Sequence, residues 1–234
     1  DAALARQPAH PLADAEVGSY MLYTSGTTGR PKGVYRPIRP AVSQLTNIIL
    51  ETAAFRPGQD VALVTGPLYH AAPLALNLVT PLNAGVACVL MDKWDAEDTL
   101  RLIERHRITH THVVPTMLHR LLQLPEATRR RYDLSSLRWL LHGAAPCPAH
   151  VKQAVIDWLG PIVFEYYSST EGGGVFIDSH DWLRKPGSVG RPVPGVAIRL
   201  LDADGREVGP GERGAIYIKA PDTNRFEYYG DPSK

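Results

Sequence analysis

The chain has 234 residues, of which 44% are hydrophobic and 21% charged, and its formal net charge is +1. This length and composition can bury a full core, so one large globular domain is expected, with two small ones as the alternative. The densest basic run is the triple arginine at 129–131. A nucleic-acid surface needs a broad basic stripe, so no nucleic-acid partner is expected. No apolar run reaches the length of a membrane span, and no signal peptide is visible.

The two cysteines, Cys88 and Cys147, lie far apart and have no CxxC spacing. Neither a disulfide scaffold nor a zinc site is therefore indicated, and both thiols are expected to be reduced, in keeping with the cytoplasm. The chain begins at Asp1 rather than methionine and ends in a turn-rich stretch, so we expect an interior piece of a longer protein. The sequence does not indicate the oligomeric state, and a homo-oligomer is one of the open alternatives.

Apolar runs rich in β-branched residues alternate with segments of helical periodicity, which predicts an α/β fold with a layered, mostly parallel sheet and flanking helices. Asp95 is the predicted N-cap of the second helix, with Asp98 three positions on as its partner. The predicted strands are 20–24, 61–65, 86–91, 112–114, 139–141 and 163–166. The predicted helices are 41–54, 96–106, 116–124 and 149–159.

Turn signals dominate after about residue 187. Two strand-like stretches, 196–201 and 215–219, are separated by glycine-containing turns and predict a β-hairpin or a small β-subdomain. The expected organisation is an α/β core over 1–186 and a β-subdomain segment over 187–234, with a soft boundary between them.

The strongest single signal is the loop at 24–33, which reads Thr-Ser-Gly-Thr-Thr-Gly-Arg-Pro-Lys-Gly and follows an apolar strand. Glycines let backbone N–H groups approach an anion closely, hydroxyls add donors without bulk, and a lysine supplies a mobile positive charge. A surface turn is the alternative, since these are also turn residues. The glycine spacing is not that of a Walker A loop, which disfavours an ordinary P-loop NTPase. The phosphate-binding candidates are Thr24, Ser25, Gly26, Thr27, Thr28, Gly29 and Lys32.

The same loop resembles the signature phosphate loop of the adenylate-forming superfamily, which includes acyl-CoA synthetases, luciferases and the adenylation domains of peptide synthetases. Other segments resemble the family's motifs in the same order: 67–70 (Pro-Leu-Tyr-His), 142–146 (His-Gly-Ala-Ala-Pro), 167–171 (Tyr-Ser-Ser-Thr-Glu) and 187–192 (Gly-Ser-Val-Gly-Arg-Pro). The resemblance spans nearly the whole chain. It is strongest to bacterial fatty-acyl or related acyl-CoA ligases.

The resemblance implies a role for each motif. Lys32 and Thr170 would contact the phosphates of ATP, and Glu171 would hold Mg²⁺, which needs only one or two protein carboxylates. Tyr167 would stack on adenine, while His70 would position the two reacting anions without acting as a general base. The adenine wall is expected at Gly143, Ala144, Ala145 and Pro146. The acid pocket is expected at His70, Ala71, Ala72, Leu74, His142, Gly172 and Gly173.

Two histidines outside these motifs, His110 and His112, alternate along a predicted strand. We interpret them as residues on one strand face rather than as a metal pair, because no third ligand is spaced to join them. Ser168 stands where the family usually has glycine, so the local backbone is expected to differ. The family's ribose-binding aspartate motif and its C-terminal lid domain, with the catalytic lysine, have no counterpart in the chain. This piece alone is therefore expected to be nearly inactive.

The expected function is ATP-dependent activation of a carboxylic acid as its acyl-AMP, followed by transfer to coenzyme A. A fatty, aromatic or steroid-side-chain acid would suit the small residues of the pocket. The alternatives are an adenylation module that loads a carrier protein, a luciferase-type oxidase and a nucleotide-binding module without catalysis. A module that loads a carrier protein would show no dependence on coenzyme A, and an oxidase would emit light or consume oxygen. A nucleotide-binding module without catalysis would show no acid-dependent pyrophosphate exchange.

Overall fold

The computed structural model describes residues 4–6, 10, 20–24, 30–36, 43–221 and 225–231. The strands are β1 Leu22–Thr24, β2 Lys32–Tyr35, β3 Val61–Val64, β4 Ala87–Leu90, β5 His110–Val113, β6 Trp139–His142, β7 Val163–Ser169, β8 Gly172–Ile177, β9 Arg191–Pro192, β10 Ala197–Leu201, β11 Ala215–Lys219 and β12 Glu227–Tyr228. The helices are α1 Gln44–Ala53, α2 Thr80–Asn83, α3 Ala96–His106, α4 Pro115–Gln123, α5 Glu126–Arg131, α6 Ala149–Leu159 and α7 Ser179–Arg184, with a 3₁₀ turn at Leu4–Arg6 and a π-helix at Ala72–Val79.

A mixed sheet in the described part of the chain has the strand order β4-β3-β5-β6-β7-β8-β9. The first five strands of this order are parallel, and β8 and β9 continue the sheet in antiparallel orientation. Strands β5 and β6 lie in its middle and are buried at every residue. Burial on both faces is typical of parallel sheets covered by crossover helices, which explains their nearly continuous apolar sequences.

Helices cover the two faces of this sheet. Successive side chains of a strand point to opposite faces, so neighbouring residues pack against different helices. Leu140 of β6 packs with residues of α3, α4 and α6 in the larger apolar cluster. Its neighbours Trp139 and Leu141 belong to the second cluster, with α1 and the π-helix. The arrangement is a three-layer α/β/α fold, as the alternating strand and helix patterns predict.

Several predicted elements have the expected bounds. The helices α3 and α6 occupy 96–106 and 149–159, and the side chain of Asp95 accepts a hydrogen bond from the Asp98 backbone N–H at 2.9 Å. Strand β5 begins two residues earlier than predicted, and β7 extends three residues further. The first residues of the predicted helix 41–54, 41 and 42, lie outside the described residues.

The predicted hairpin near the end of the chain is confirmed, because β10 and β11 pair antiparallel along five residues each. Other parts of the 187–234 segment pair with earlier strands: β9 continues the main sheet beside β8, and β12 pairs with β2. The expected boundary near 187 lies in the turn between α7 and β9, and the division into a core and a β-subdomain stays a prediction. None of the helices in the described ranges has the length and hydropathy that crossing a membrane requires.

Candidate active site

The sequence motifs come together because they follow neighbouring parallel strands. Residues 67–70 follow β3, residues 143–146 follow β6, and residues 170–171 follow β7. In open α/β sheets the carboxyl ends of parallel strands share one edge, which is where ligands bind. The order β3-β5-β6-β7 therefore places the three motifs along a single edge of the sheet.

The phosphate loop is anchored at both ends by a pair of antiparallel strands. Thr24 of β1 lies opposite Lys32 of β2 in the ladder, so the intervening loop leaves and re-enters the structure at one place. Ser25, Gly26, Thr27, Thr28 and Gly29 lie outside the described residues. Thr24 and Lys32 thus fix where the two ends of this loop lie.

Three contacts link β2 and the residue after it, the partner strand β12 and the turn after β7. The Tyr228 hydroxyl donates a hydrogen bond to Glu171 Oε1 at 3.1 Å, and Lys32 Nζ lies 4.8 Å from the centre of the same tyrosine ring. Arg36 Nη2 donates to the carbonyl oxygen of Thr170 at 2.6 Å. The structure thus brings together the lysine of the first motif and the Thr-Glu pair of a distant one.

The pKa values at this junction follow from burial and charge. Loss of hydration lowers the pKa of Arg36, against the opposing influence of Tyr20 and Glu171. Loss of hydration and the bond to Glu171 raise the pKa of Tyr228, so its hydroxyl keeps the proton that it donates. A cationic and hydrogen-bonding edge of this kind is suited to an anionic ligand.

The turn from β7 to β8 depends on glycine. Gly173 has φ +73°, and a Cβ there would lie 2.4 Å from Ile218 Cγ2, so neither its conformation nor its surroundings admit a side chain. Ser168, the departure from the family pattern, donates a hydrogen bond from its hydroxyl to the Gly173 carbonyl at 2.6 Å. The serine therefore ties the two arms of the turn together beside Thr170 and Glu171.

The loop after β6 lies against β7. A Cβ on Gly143 would lie 2.5 Å from the Tyr166 ring, so only glycine allows the ring to pack against the start of this loop. Ala144 adopts a positive φ of 68°. Ala144, Ala145 and Pro146 are all exposed, and of these three Ala144 lines the cavity described below. Tyr167 is 42% exposed, while the preceding tyrosine is buried, as alternation along β7 requires.

A cavity of about 810 Å³ opens at the same edge, which is within the range of small-molecule sites. It extends from exposed His70 and half-buried Thr170 to buried residues of β5 and β7. Five residues predicted for the acid pocket line it: His70, Ala71, Ala72, Gly172 and Gly173.

Two residues expected in the acid pocket, His142 and Leu74, are not in the wall of this cavity. His142 is completely buried and is not part of the cavity wall. It follows Leu141 on β6, which packs on the cavity side, so alternation turns the histidine to the opposite face, towards α6. Leu74 is half-buried on the π-helix and also lies outside the wall, whereas Ala72 and Ala75 of the same helix contribute to it.

On that opposite face His142 joins a buried ion pair. Lys152 Nζ of α6 donates to Glu165 Oε2 of β7 at 2.6 Å, and His142 Nε2 lies 3.6 Å from the same oxygen. Burial lowers the pKa of His142 well below its usual value, and the charge of Lys152 adds to this effect. Within the described part of the chain neither ring nitrogen of His142 has a hydrogen-bond partner. The pair fixes α6 to the strand that carries Tyr166 and Tyr167.

Sequence reasoning missed four residues of the site: Arg36, His112, Tyr166 and Tyr228. His112 was interpreted as lying with His110 on one strand face rather than as a metal ligand, and at His112 that face also borders the cavity. Strict alternation from Tyr167 could have identified Tyr166 as inward-facing. The contact of Tyr228 depends on the pairing of β12 with β2, which no local sequence signal specifies.

The chemistry of Glu171 suits one protein ligand of Mg²⁺. Its Oε1 accepts from Tyr228, and a second carboxylate oxygen is left for a metal. No group of three or more histidine, cysteine, aspartate or glutamate side chains suited to a metal occurs among the described residues. Magnesium bound with a nucleotide does not need such a group, because phosphates and water complete its octahedron.

The chain is similar in sequence to known proteins along most of its length. Residues 2–229 match the family model described as AMP-binding enzyme. Feruloyl-CoA synthase of Amycolatopsis sp is 35% identical over 214 residues, covering 91% of this chain and 42% of the relative. Medium/long-chain-fatty-acid–CoA ligase FadD8 of Mycobacterium tuberculosis is 36% identical over 206 residues, covering 86% of this chain and 35% of the relative. The chain thus spans less than half the length of these curated relatives.

Solved structures agree with the fold. The inhibitor-bound N-terminal domain of FACL13 from Mycobacterium tuberculosis superposes with a TM-score of 0.78 at 28% identity, covering 98% of this chain and 57% of that one. O-succinylbenzoate coenzyme A synthetase (MenE) from Bacillus subtilis, in complex with AMP, superposes with a TM-score of 0.72 at 29% identity. This superposition covers 91% of this chain and 42% of that one. The chain belongs to the AMP-binding, adenylate-forming enzyme family and corresponds to part of that family's large domain.

Proposed function

We propose that the protein containing this chain activates a carboxylic acid as its acyl-AMP and then transfers the acyl group to coenzyme A. The observation that supports this most directly is the meeting of Lys32 and Glu171 at Tyr228, beside a cavity large enough for an organic acid. A phosphate-binding cation and a carboxylate suited to magnesium thus lie next to an acid-sized space. That combination is what adenylation of an acid requires.

The first step joins two anions. A carboxylate oxygen forms a bond to the α-phosphorus of ATP, the bond from that phosphorus to the bridging oxygen breaks, and pyrophosphate leaves. The carboxylate is already ionised at neutral pH, so no general base is needed. In the second step the sulfur of coenzyme A bonds to the acyl carbon, AMP leaves and the thiol loses its proton. The main barrier of the first step is electrostatic, so donors and cations aimed at the phosphates supply the catalysis.

The residues of this chain divide these tasks. The loop from Thr24 to Lys32 would bind the phosphates, and Thr170 would donate to the α-phosphate. The exposed ring of Tyr167 would stack on adenine beside the 143–146 loop. His70, exposed at the open side of the cavity, would orient the incoming carboxylate. Arg36 supports this arrangement by holding the Thr170 carbonyl.

Magnesium would be held by Glu171 and would neutralise phosphate charge when bound. In the complete protein we expect Glu171→Gln to raise the magnesium concentration needed for half-maximal adenylation by about tenfold, because an amide oxygen carries no net charge. The measurement is the initial rate of acid-dependent pyrophosphate release across a magnesium titration. Glu212→Gln, on an exposed turn, is the matched control. An unchanged titration for Glu171→Gln would remove the residue from metal binding.

The decisive experiment incubates the full-length protein with ATP, Mg²⁺, coenzyme A and a panel of fatty, aromatic and steroid-side-chain acids, and identifies products by mass. Acyl-CoA, AMP and pyrophosphate in equal amounts are expected. Acid-dependent pyrophosphate exchange without use of coenzyme A would indicate another acceptor, such as a carrier protein. ATP binding with no acid-dependent exchange would contradict the enzymatic proposal itself.

The relatives' names include feruloyl-CoA synthase and a medium/long-chain-fatty-acid–CoA ligase, so the proposed acids include aromatic and fatty ones. We place the protein in the cytoplasm, where ATP and coenzyme A are supplied, with fatty-acid metabolism as one setting. A homo-oligomer is compatible with this function.

A further inference from the structure

Two buried side chains of the cavity wall are outside the set of residues assigned to ATP. His112 of β5 and Tyr166 of β7 are 2% and 6% exposed, and both line the cavity. His112 Nε2 and the Tyr166 hydroxyl form a hydrogen bond of 3.1 Å. Their neighbours in the wall include apolar Ala75 and Leu76 from the π-helix. A hydrogen-bonding pair is therefore set into a largely apolar part of the cavity.

The pair lies away from the reacting end of the cavity. Exposed His70 and half-buried Thr170 mark the open side, where the carboxylate would meet the α-phosphate. His112 and Tyr166 lie on the buried side, next to the central strands of the sheet. An acid bound with its carboxylate near Thr170 would extend its other end towards them.

Both groups are neutral at physiological pH. Burial lowers the pKa of His112 to about 4 and raises the pKa of Tyr166. A neutral imidazole has one N–H donor and one nitrogen acceptor, and a phenol has one O–H donor and an acceptor oxygen. Their mutual bond uses one donor and one acceptor.

The hydrogen-bonding groups left over on His112 and Tyr166 are one donor and one acceptor in either histidine tautomer. If Nε2–H donates to the phenol oxygen, the phenol O–H and His112 Nδ1 are left; if the phenol donates to Nε2, Nδ1–H and the phenol oxygen are left. Either way one donor and one acceptor remain, and among the described residues no other side chain is bonded to these atoms. Neighbouring Thr65 is already engaged, because its hydroxyl donates to the His112 backbone carbonyl and its N–H donates to Asn77.

We propose that the His112–Tyr166 pair recognises a hydroxyl group carried by the acid at the end remote from its carboxylate. A hydroxyl group is both donor and acceptor, so it can form a hydrogen bond with the Tyr166 phenol group in either tautomer. An acid with only apolar atoms there leaves buried polar groups without partners, which opposes its binding. This specificity rests on the proposed acid-activating function of the same site.

The test compares matched acids on the full-length protein. One set is 3-phenylpropanoate with its 3- and 4-hydroxyphenyl counterparts, and the other is decanoate with 10-hydroxydecanoate. Rates of acid-dependent pyrophosphate release give kcat/KM for each acid. At least one hydroxylated acid is expected to exceed its parent by about tenfold, the typical effect of one satisfied buried hydrogen bond. Equal kcat/KM values within every set would overturn the inference while leaving acid activation established.

The variant Tyr166→Phe removes only the hydroxyl that bonds to His112. It is expected to bring the ratio between hydroxylated and parent acid to about one. The ratio is measured on one enzyme sample, so incomplete folding cancels. Tyr132→Phe, which removes a hydroxyl bonded to Glu97 outside the cavity, should keep the wild-type ratio. A wild-type ratio in Tyr166→Phe would contradict the assignment. No activity with any acid in the wild type would instead refute the proposed function.

Discussion

Replacing Lys32 by alanine in the complete protein is expected to slow acid-dependent pyrophosphate release by about 10²–10³-fold, the usual effect of removing one aimed donor from an electrostatic site. The lysine begins β2 at the end of the phosphate loop and contacts Tyr228 through its ammonium group. Its charge is available to the triphosphate, whose negative charge increases at the leaving oxygens as pyrophosphate departs. The measurement is kcat/KM for ATP at saturating acid.

The fold should tolerate this change. Lys32 is half-buried, and its ammonium group lies over the Tyr228 ring, a contact worth about 0.5–1 kcal/mol at exposed sites. Unfolding in urea should therefore be nearly unchanged. Lys219→Ala, at an exposed strand position outside the cavity, controls for the loss of a lysine from a β-strand. A wild-type rate for Lys32→Ala would exclude the loop from the mechanism.

Local sequence signals were sufficient for the amphipathic helices. Helix α3 has an aspartate cap, acidic residues in its first turn and basic residues in its last, and its bounds were predicted to the residue. The π-helix Ala72–Val79 was not predicted. Apart from Asn77 it is apolar, it contains Pro73 and it precedes Pro81, so it has neither the periodicity nor the composition of a surface helix. Its form is set by packing between the sheet and the cavity.

Strand β8 is a second case in which tertiary structure decides. It begins with three glycines, which disfavour strands, and it is a strand because it pairs with β7 from Ser169↔Gly172 to Glu165↔Ile177. The glycines serve the turn next to Glu171 rather than the strand itself. The order of the motifs along the sequence predicted that this turn is functional. The antiparallel pairing of β8 with β7 was not predicted, because it depends on tertiary contacts that local sequence patterns do not specify.

The candidate site was predicted as a set of motifs, and the directions of its side chains were harder to predict. Positions adjacent on a strand face opposite layers, so placing a motif at a strand end does not place every residue of it in the pocket. His142 illustrates this, since it belongs to a functional motif and yet points to α6. Tyr166 is the converse, a residue overlooked between two motif positions that lines the cavity.

The largest effect on stability is expected at the buried ion pair. Lys152→Met should reduce the free energy of unfolding by about 3–5 kcal/mol, because Glu165 would remain as a buried charge without its partner. The side chains of Lys152 and Glu165 are 1% and 8% exposed. His142, 3.6 Å from the carboxylate, is too strongly disfavoured as a cation by burial to replace the lysine fully. Urea unfolding of the complete protein, followed by tryptophan fluorescence, measures the change; Trp182 lies 5.1 Å from the lysine nitrogen.

The double variant Lys152→Met with Glu165→Met distinguishes a lost charge balance from lost packing. It removes both charges and fills the space with apolar atoms, so it should recover most of the stability lost in the single variant. Such a result would attribute the stability lost in Lys152→Met to the unpaired carboxylate of Glu165, next to Tyr166 and Tyr167 on β7. If the double variant is as unstable as the sum of the two single ones, the two side chains act independently and the pair does not fix β7. A single-variant cost below about 1 kcal/mol, the scale of an exposed pair, would show that the pair is not desolvated in solution.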